Sequence, residues 1–125
     1  MIASTAKHLL LVDDDEAFRE ATAATLRAAG YGVREAPDYR LALEILEGAE
    51  HIDVLIVDLV MPGAINGLAL ARMARMRRPG LRVIYISGFD IQGFEHETLG
   101  TLLRKPVSDD QLLTEIALTL SRQPG

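Results

Sequence analysis

The chain contains no cysteine. Disulfides, thiolate chemistry and zinc sites built on thiolates are therefore excluded. It also lacks a long hydrophobic run. The longest apolar stretches are residues 9–12, 52–57 (interrupted by Asp53) and 81–86 (interrupted by Arg82). None approaches the roughly 20 residues that span a bilayer. Residues 1–7 hold no extended apolar segment, so no signal peptide is expected. A cytoplasmic chain that binds no membrane is the expectation. Positive charge is in deficit, with 13 Lys and Arg against 18 Asp and Glu and a formal net charge of -5. This argues against a direct nucleic-acid binder, since such domains are usually basic. One local exception is the group Arg72, Arg75, Arg77, Arg78 and Arg82, which reads as a solvated helix end with cations near its negative pole. Lysine is the scarce cation, because only Lys7 and Lys105 stand against 11 arginines.

What is present suits one ordinary domain. There are 125 residues, 49% of them hydrophobic, and a chain of this length buries roughly two thirds of its unfolded surface. The expected unit covers 1–125, with 1–7 as an N-terminal extension and 121–125 as a frayed tail. Apolar runs at 9–12, 54–57 and 83–86 predict short buried strands, with weaker ones at 31–35 and 101–104. Helical spacing lies between them. Phe18, Ala21, Thr25 and Leu26 precede a stop at Gly30, and Asp38 caps a helix that stops at Gly48. Asn66 caps a third helix ended by Pro79 and Gly80, and Ser108 with Gln111 forms a capping box for the last one. No internal repeat or low-complexity segment is visible. Short apolar strands alternating with helices predict an α/β fold with a parallel sheet covered on both faces. The common solution is a doubly wound, flavodoxin-like five-stranded sheet of order 2-1-3-4-5.

In such a sheet, ligands bind beyond the carboxyl ends of the strands. The first strand ends in Asp13 and Asp14, the third in Asp58, the fourth in Ser87 and the fifth in Lys105. Three carboxylates, a hydroxyl and an ammonium are thus expected on one rim. Two like charges about 4 Å apart repel by on the order of 4 kcal/mol at an effective dielectric near 20. A hard divalent cation such as Mg²⁺ relieves that repulsion. Phosphoryl transfer needs mainly positioning and electrostatic stabilisation, and a carboxylate can serve as its nucleophile. Each residue also has a plainer reading. Asp13 to Asp15 could be an N-cap cluster, Asp58 a strand-end cap, Ser87 a turn serine and Lys105 a surface lysine. The histidines His8, His51 and His96 share no spacing and read as surface or boundary residues.

Four segments together carry a family likeness: Leu10-Leu11-Val12-Asp13-Asp14-Asp15, Asp58-Leu59-Val60-Met61-Pro62-Gly63, Ile86-Ser87-Gly88 and Lys105-Pro106. In order and separation they resemble the signatures of response-regulator receiver domains, and the resemblance covers nearly the whole chain. It implies Asp58 as phospho-acceptor, with Mg²⁺ held by Asp13, Asp14, Asp58 and the backbone carbonyl of Val60. It implies Ser87 as switch hydroxyl, Lys105 as partner of the phosphoryl group, and a cis Lys105–Pro106 bond, which X-Pro tolerates at little cost. The implied partners are a histidine kinase or histidine phosphotransfer protein and an unidentified downstream protein. The implied state is a monomer or a phosphorylation-dependent dimer, a signalling domain rather than a conventional enzyme. The phospho-independent alternative is an interaction module of the same fold. A flavodoxin-type cofactor binder is disfavoured, because three aspartates replace a phosphate-cradling loop. An aspartyl phosphatase would need its nucleophile on the first strand.

Three departures from the family pattern stand out. The loop Gly63-Ala64-Ile65-Asn66-Gly67 is one residue longer than usual. Gly88, Gly93 and Gly100 predict a short or irregular fourth helix between Ser87 and Lys105. Leu102 stands where the family often has an aromatic residue, so an aromatic rotamer switch is not expected and the output face should signal differently. By the resemblance, Val60 and Phe89 stand at positions that border an attacking water, and both being apolar predicts slow self-hydrolysis.

Overall fold

Alternation of short strands with capped helices sets the chain's order in the computed structural model, which describes residues 6–60, 66–88 and 100–122. The elements run β1 (His8–Val12), α1 (Glu16–Ala28), β2 (Gly32–Ala36), α2 (Tyr39–Glu47), β3 (Val54–Asp58), α3 (Gly67–Arg77), β4 (Arg82–Ser87), β5 (Gly100–Arg104) and α4 (Asp109–Ser121). All strand pairs are parallel, and the sheet order is β2-β1-β3-β4-β5. The predicted architecture is thus the observed one.

Position in the sheet follows from composition. β3 is buried along its whole length and β1 from Leu9 onward, because both are apolar on both faces. β2 and β5, with mixed residues and partial exposure, take the two edges. Successive side chains point to opposite faces, and two cores result. Leu10, Val12, Leu55, Val57, Val83 and Tyr85 pack against Ala42, Ile45 and Leu46 of α2 and Leu70, Ala71 and Ala74 of α3. Leu9, Leu11, Val54, Ile56, Ile84 and Ile86 pack against Ala23 and Leu26 of α1 and Leu112 and Ile116 of α4. Burying one such side chain contributes about 1.5–3 kcal/mol.

Helix starts are set by four side-chain caps. Asp15, Asp38, Asn66 and Ser108 accept from the backbone N–H of Phe18, Leu41, Ala69 and Gln111 at 2.8–3.1 Å. Each satisfies a donor that the first turn leaves unpaired. After α1 the chain reverses at Gly30, whose φ of 102° favours glycine. The arginine group has a more definite job than a solvated helix end. Arg78 donates to the carbonyls of Leu46 and Gly48 at the end of α2, and Arg77 pairs with Glu47 at 2.9 Å. Arg82 reaches the Arg122 carbonyl at 2.8 Å. The expected short fourth helix, Phe89 and Gly93, and the loop residues 61–65 lie outside the described residues.

One glycine ties α3 to the end of β3. A methyl group on Gly67 would overlap the Asp58 carbonyl oxygen and come within 2.8 Å of the Leu59 Cα. The Gly67 N–H also donates to the Leu59 carbonyl at 3.1 Å. Gly67→Ala should lower unfolding free energy by about 1–3 kcal/mol. Gly80→Ala, with nothing within 4 Å of the added carbon, should change it by less than about 0.5 kcal/mol. Urea denaturation of both variants checks this, and equal effects would contradict the close approach.

Candidate functional site

Parallel pairing carries four strand ends to one rim, and the ladder extends a residue past β1, β3 and β5. The Asp13 N–H donates to the Ala36 carbonyl at 3.2 Å, Leu59 N–H to the Ile86 carbonyl at 2.9 Å and Lys105 N–H to the Ser87 carbonyl at 2.8 Å. The backbones that bear the candidate side chains are therefore fixed by the sheet itself. Val12 pairs with Val57, which sets Asp13 beside Asp58, and Asp58 pairs with Ile86, one residue before Ser87.

The side chains converge as those backbones require. Lys105 Nζ lies 2.9 Å from Asp13 Oδ2 and 3.0 Å from Asp58 Oδ2. Asp13 is 1% exposed and Asp58 7%. The second oxygen of each carboxylate is clamped by local backbone. Asp13 Oδ1 accepts from the Asp15 N–H and Asp58 Oδ1 from the Val60 N–H, both at 2.9 Å. Asp14 is exposed, yet Asp13, Asp14 and Asp58 each offer an oxygen within 4.8 Å of the others. Three oxygen donors of this kind fit a hard divalent cation such as Mg²⁺. Ser87 is fully buried at the end of β4, and the Val60 side chain is 48% exposed. The Lys105–Pro106 bond is cis. Asp15 separates from its neighbours as the α1 cap, so the acidic triplet divides between metal-type geometry and capping.

Charge balance follows from burial and pairing. Burial pushes the Asp13 carboxyl above its ordinary value. The Asp15 N–H and the Lys105 ammonium oppose that rise, and Asp58 adds to it. For Lys105, burial alone would lower the pKa. Its hydrogen bonds and attraction to Asp13 and Asp58 outweigh this and leave it raised.

Two neighbours were not legible beforehand. The buried Arg19 donates to the Asp13 carbonyl at 2.8 Å and to Glu35 at 3.3 Å, joining the end of β1 to β2. The Phe18 ring centroid lies 4.4 Å from Lys105 Nζ. Their only sequence signal was position on the first turn after the aspartates, which would have read as helix packing. At the opposite end of the sheet, His8 and His51 meet edge to face at 6.0 Å, and His51 Nε2 lies 2.9 Å from Asp53. Both remain exposed, as expected for surface histidines, whereas His96 lies outside the described residues.

Residues 9–117 match the family described as response regulator receiver domain. The chain is 35% identical over 121 residues to the sensor kinase CckA of Brucella abortus (strain 2308), a match covering 92% of this chain and 13% of that protein. The solved receiver domain of the hybrid histidine kinase CckA superposes with a TM-score of 0.79 at 39% identity, covering 91% of this chain and 99% of the other. A CheY-like receiver from Methanospirillum hungatei JF-1 gives 0.85 at 28% identity, covering 93% and 94%. This chain belongs to the response regulator receiver domain family. It thus corresponds to a small part of the sensor kinase it matches.

The Lys105 bridge yields a pH-dependent prediction. A raised lysine pKa contributes stability that is fully present below the ordinary lysine value of about 10.4 and is lost as pH climbs through the raised value. In metal-free buffer at pH 8, Lys105→Met should be less stable than wild type by about 1–2 kcal/mol. That is below the loss for breaking a fully buried pair, because the lysine side chain is 23% exposed. The gap should be smaller at a second, alkaline pH above the ordinary lysine value, where the raised group begins to lose its proton. Denaturation of both proteins at the two pH values measures it, and a gap independent of pH would contradict the bridge.

Proposed function

We propose that this receiver domain takes a phosphoryl group from a histidine kinase or histidine phosphotransfer protein onto Asp58. The observation that carries the reading is the single ammonium of Lys105 held at 2.9 and 3.0 Å between Asp13 and Asp58. A lone carboxylate on a rim is a surface group. One that is nearly buried, clamped on one oxygen by the Val60 N–H and faced by a cation on the other, is a preorganised nucleophile.

The step is a substitution at phosphorus. A bond forms from a carboxylate oxygen of Asp58 to phosphorus as the phosphorus–nitrogen bond of the donor phosphohistidine breaks. The imidazole leaves with the electron pair and takes a proton from water. Asp13, Asp14, Asp58 and the Val60 carbonyl would hold Mg²⁺, which supplies neutralisation of the phosphoryl charge. Lys105 supplies a compact positive charge to the same oxygens, and a lysine kept among so many arginines suits that role. The Ser87 hydroxyl donates to a phosphoryl oxygen, and the new contact biases a two-state equilibrium.

The setting proposed is cytoplasmic, with 1–125 acting as one unit. Among the described residues no helix is long and apolar enough to cross a membrane. The likeness to the receiver of a hybrid kinase supports a donor that is a kinase or a phosphotransfer protein, with the downstream partner a protein.

Acetyl phosphate with Mg²⁺ should label wild type at one phosphoryl group per chain, and Asp58→Asn should remove the label. Intact-mass spectrometry after brief incubation reads the result. An unlabelled wild type would favour the phosphorylation-independent interaction module, and a label persisting in Asp58→Asn would move the acceptor elsewhere.

A further inference from the structure

The Lys105 ammonium has a third neighbour besides its two carboxylates. Its Nζ sits 4.4 Å from the centroid of the Phe18 ring, inside the roughly 6 Å over which a ring face attracts a cation. Phe18 lies in the first turn of α1, where its backbone N–H is held by the Asp15 cap. The cap fixes that turn and so fixes where the ring starts. The ring also touches the core cluster beneath α1, which limits its freedom on the other side.

We propose that Phe18 is a positioning residue whose ring face holds the Lys105 ammonium at the rim, within reach of a phosphoryl group on Asp58. This rests on the reading of Asp58 as acceptor. The reason is a competition between ligands. Lys105 is held by Asp13 and Asp58, the same carboxylates that a cation and a phosphoryl group would engage. Once they are engaged, their hold on the lysine weakens. A ring carries no net charge, so it neither competes for the cation nor repels the phosphoryl group. It attracts the ammonium through its quadrupole whether or not the carboxylates are occupied. A flexible four-carbon stem then keeps one fixed contact while its polar partners change. An aliphatic residue would fill the same apolar space without a negative face.

The test replaces Phe18 in the whole chain with mono-, di- and trifluorophenylalanine, alongside Phe18→Leu and Phe18→Tyr. Fluorination weakens the ring face while nearly preserving shape. One readout needs no metal. Ring current should shift the Lys105 ε-methylene protons upfield in wild type and Phe18→Tyr, and the shift should vanish in Phe18→Leu. The second readout is Mg²⁺-dependent labelling of Asp58 by acetyl phosphate, with the maximal rate separated from the half-saturating donor concentration. The maximal rate should fall stepwise to a total of about fivefold across the fluorinated series. Phe18→Tyr should stay near wild type, the half-saturating concentration should hold, and the thermal midpoint should not move. A flat series, or a rate loss that tracks the thermal midpoint, would reduce Phe18 to a core residue and overturn the proposal. Labelling with a flat series removes this inference alone. No labelling of wild type removes the acceptor reading and this inference together.

Discussion

One ammonium between two nearly buried carboxylates is the interaction on which the rest of this molecule depends. Parallel pairing forces Asp13 and Asp58 side by side at the ends of β1 and β3. With both nearly buried, their mutual repulsion cannot be relieved by water. Lys105, delivered by β5 from across β4, relieves it at 2.9 and 3.0 Å. That arrangement joins the middle of the sheet to one edge through charge. Under the proposed function, a divalent cation and a phosphoryl group would each engage the oxygens that the lysine holds.

Supports for this bridge are spread over every element that reaches the rim. α3 approaches so closely at Gly67 that no side chain fits against the end of β3. The Arg19 guanidinium fixes the Asp13 carbonyl, and Glu35 on β2 holds that guanidinium in turn. Ser87 meets Lys105 through its carbonyl, so the candidate switch hydroxyl and the lysine belong to one backbone ladder. Leu102 pairs with Tyr85 in register and packs on the face lined by α2 and α3. That position of the edge strand therefore carries an aliphatic side chain and no aromatic ring.

Much of this was legible from residue order alone. Apolar runs of four residues marked β1, β3 and β4, caps at Asp38, Asn66 and Ser108 marked helix starts, and strand ends brought Asp13, Asp14, Asp58 and Lys105 to one rim. Such features are written locally, in periodicity and in single residues at element ends. The misses are contacts between distant segments. Phe18 reads as a helix-packing aromatic until Lys105 is placed beside it. The arginines of α3 read as a solvated helix end until the carbonyls of α2 are found under Arg78. His8 and His51, 43 positions apart in sequence, meet only because β1 and β3 are neighbours in the sheet.

The most direct measurement is a crystal structure of the protein with Mg²⁺ and beryllofluoride. The account predicts beryllium bonded to an Asp58 oxygen, one cation among Asp13, Asp14 and Asp58, and Lys105 Nζ moved from the carboxylates onto a fluorine. Beryllofluoride absent from Asp58, or Lys105 still bridging Asp13 and Asp58 with the mimic bound, would contradict it.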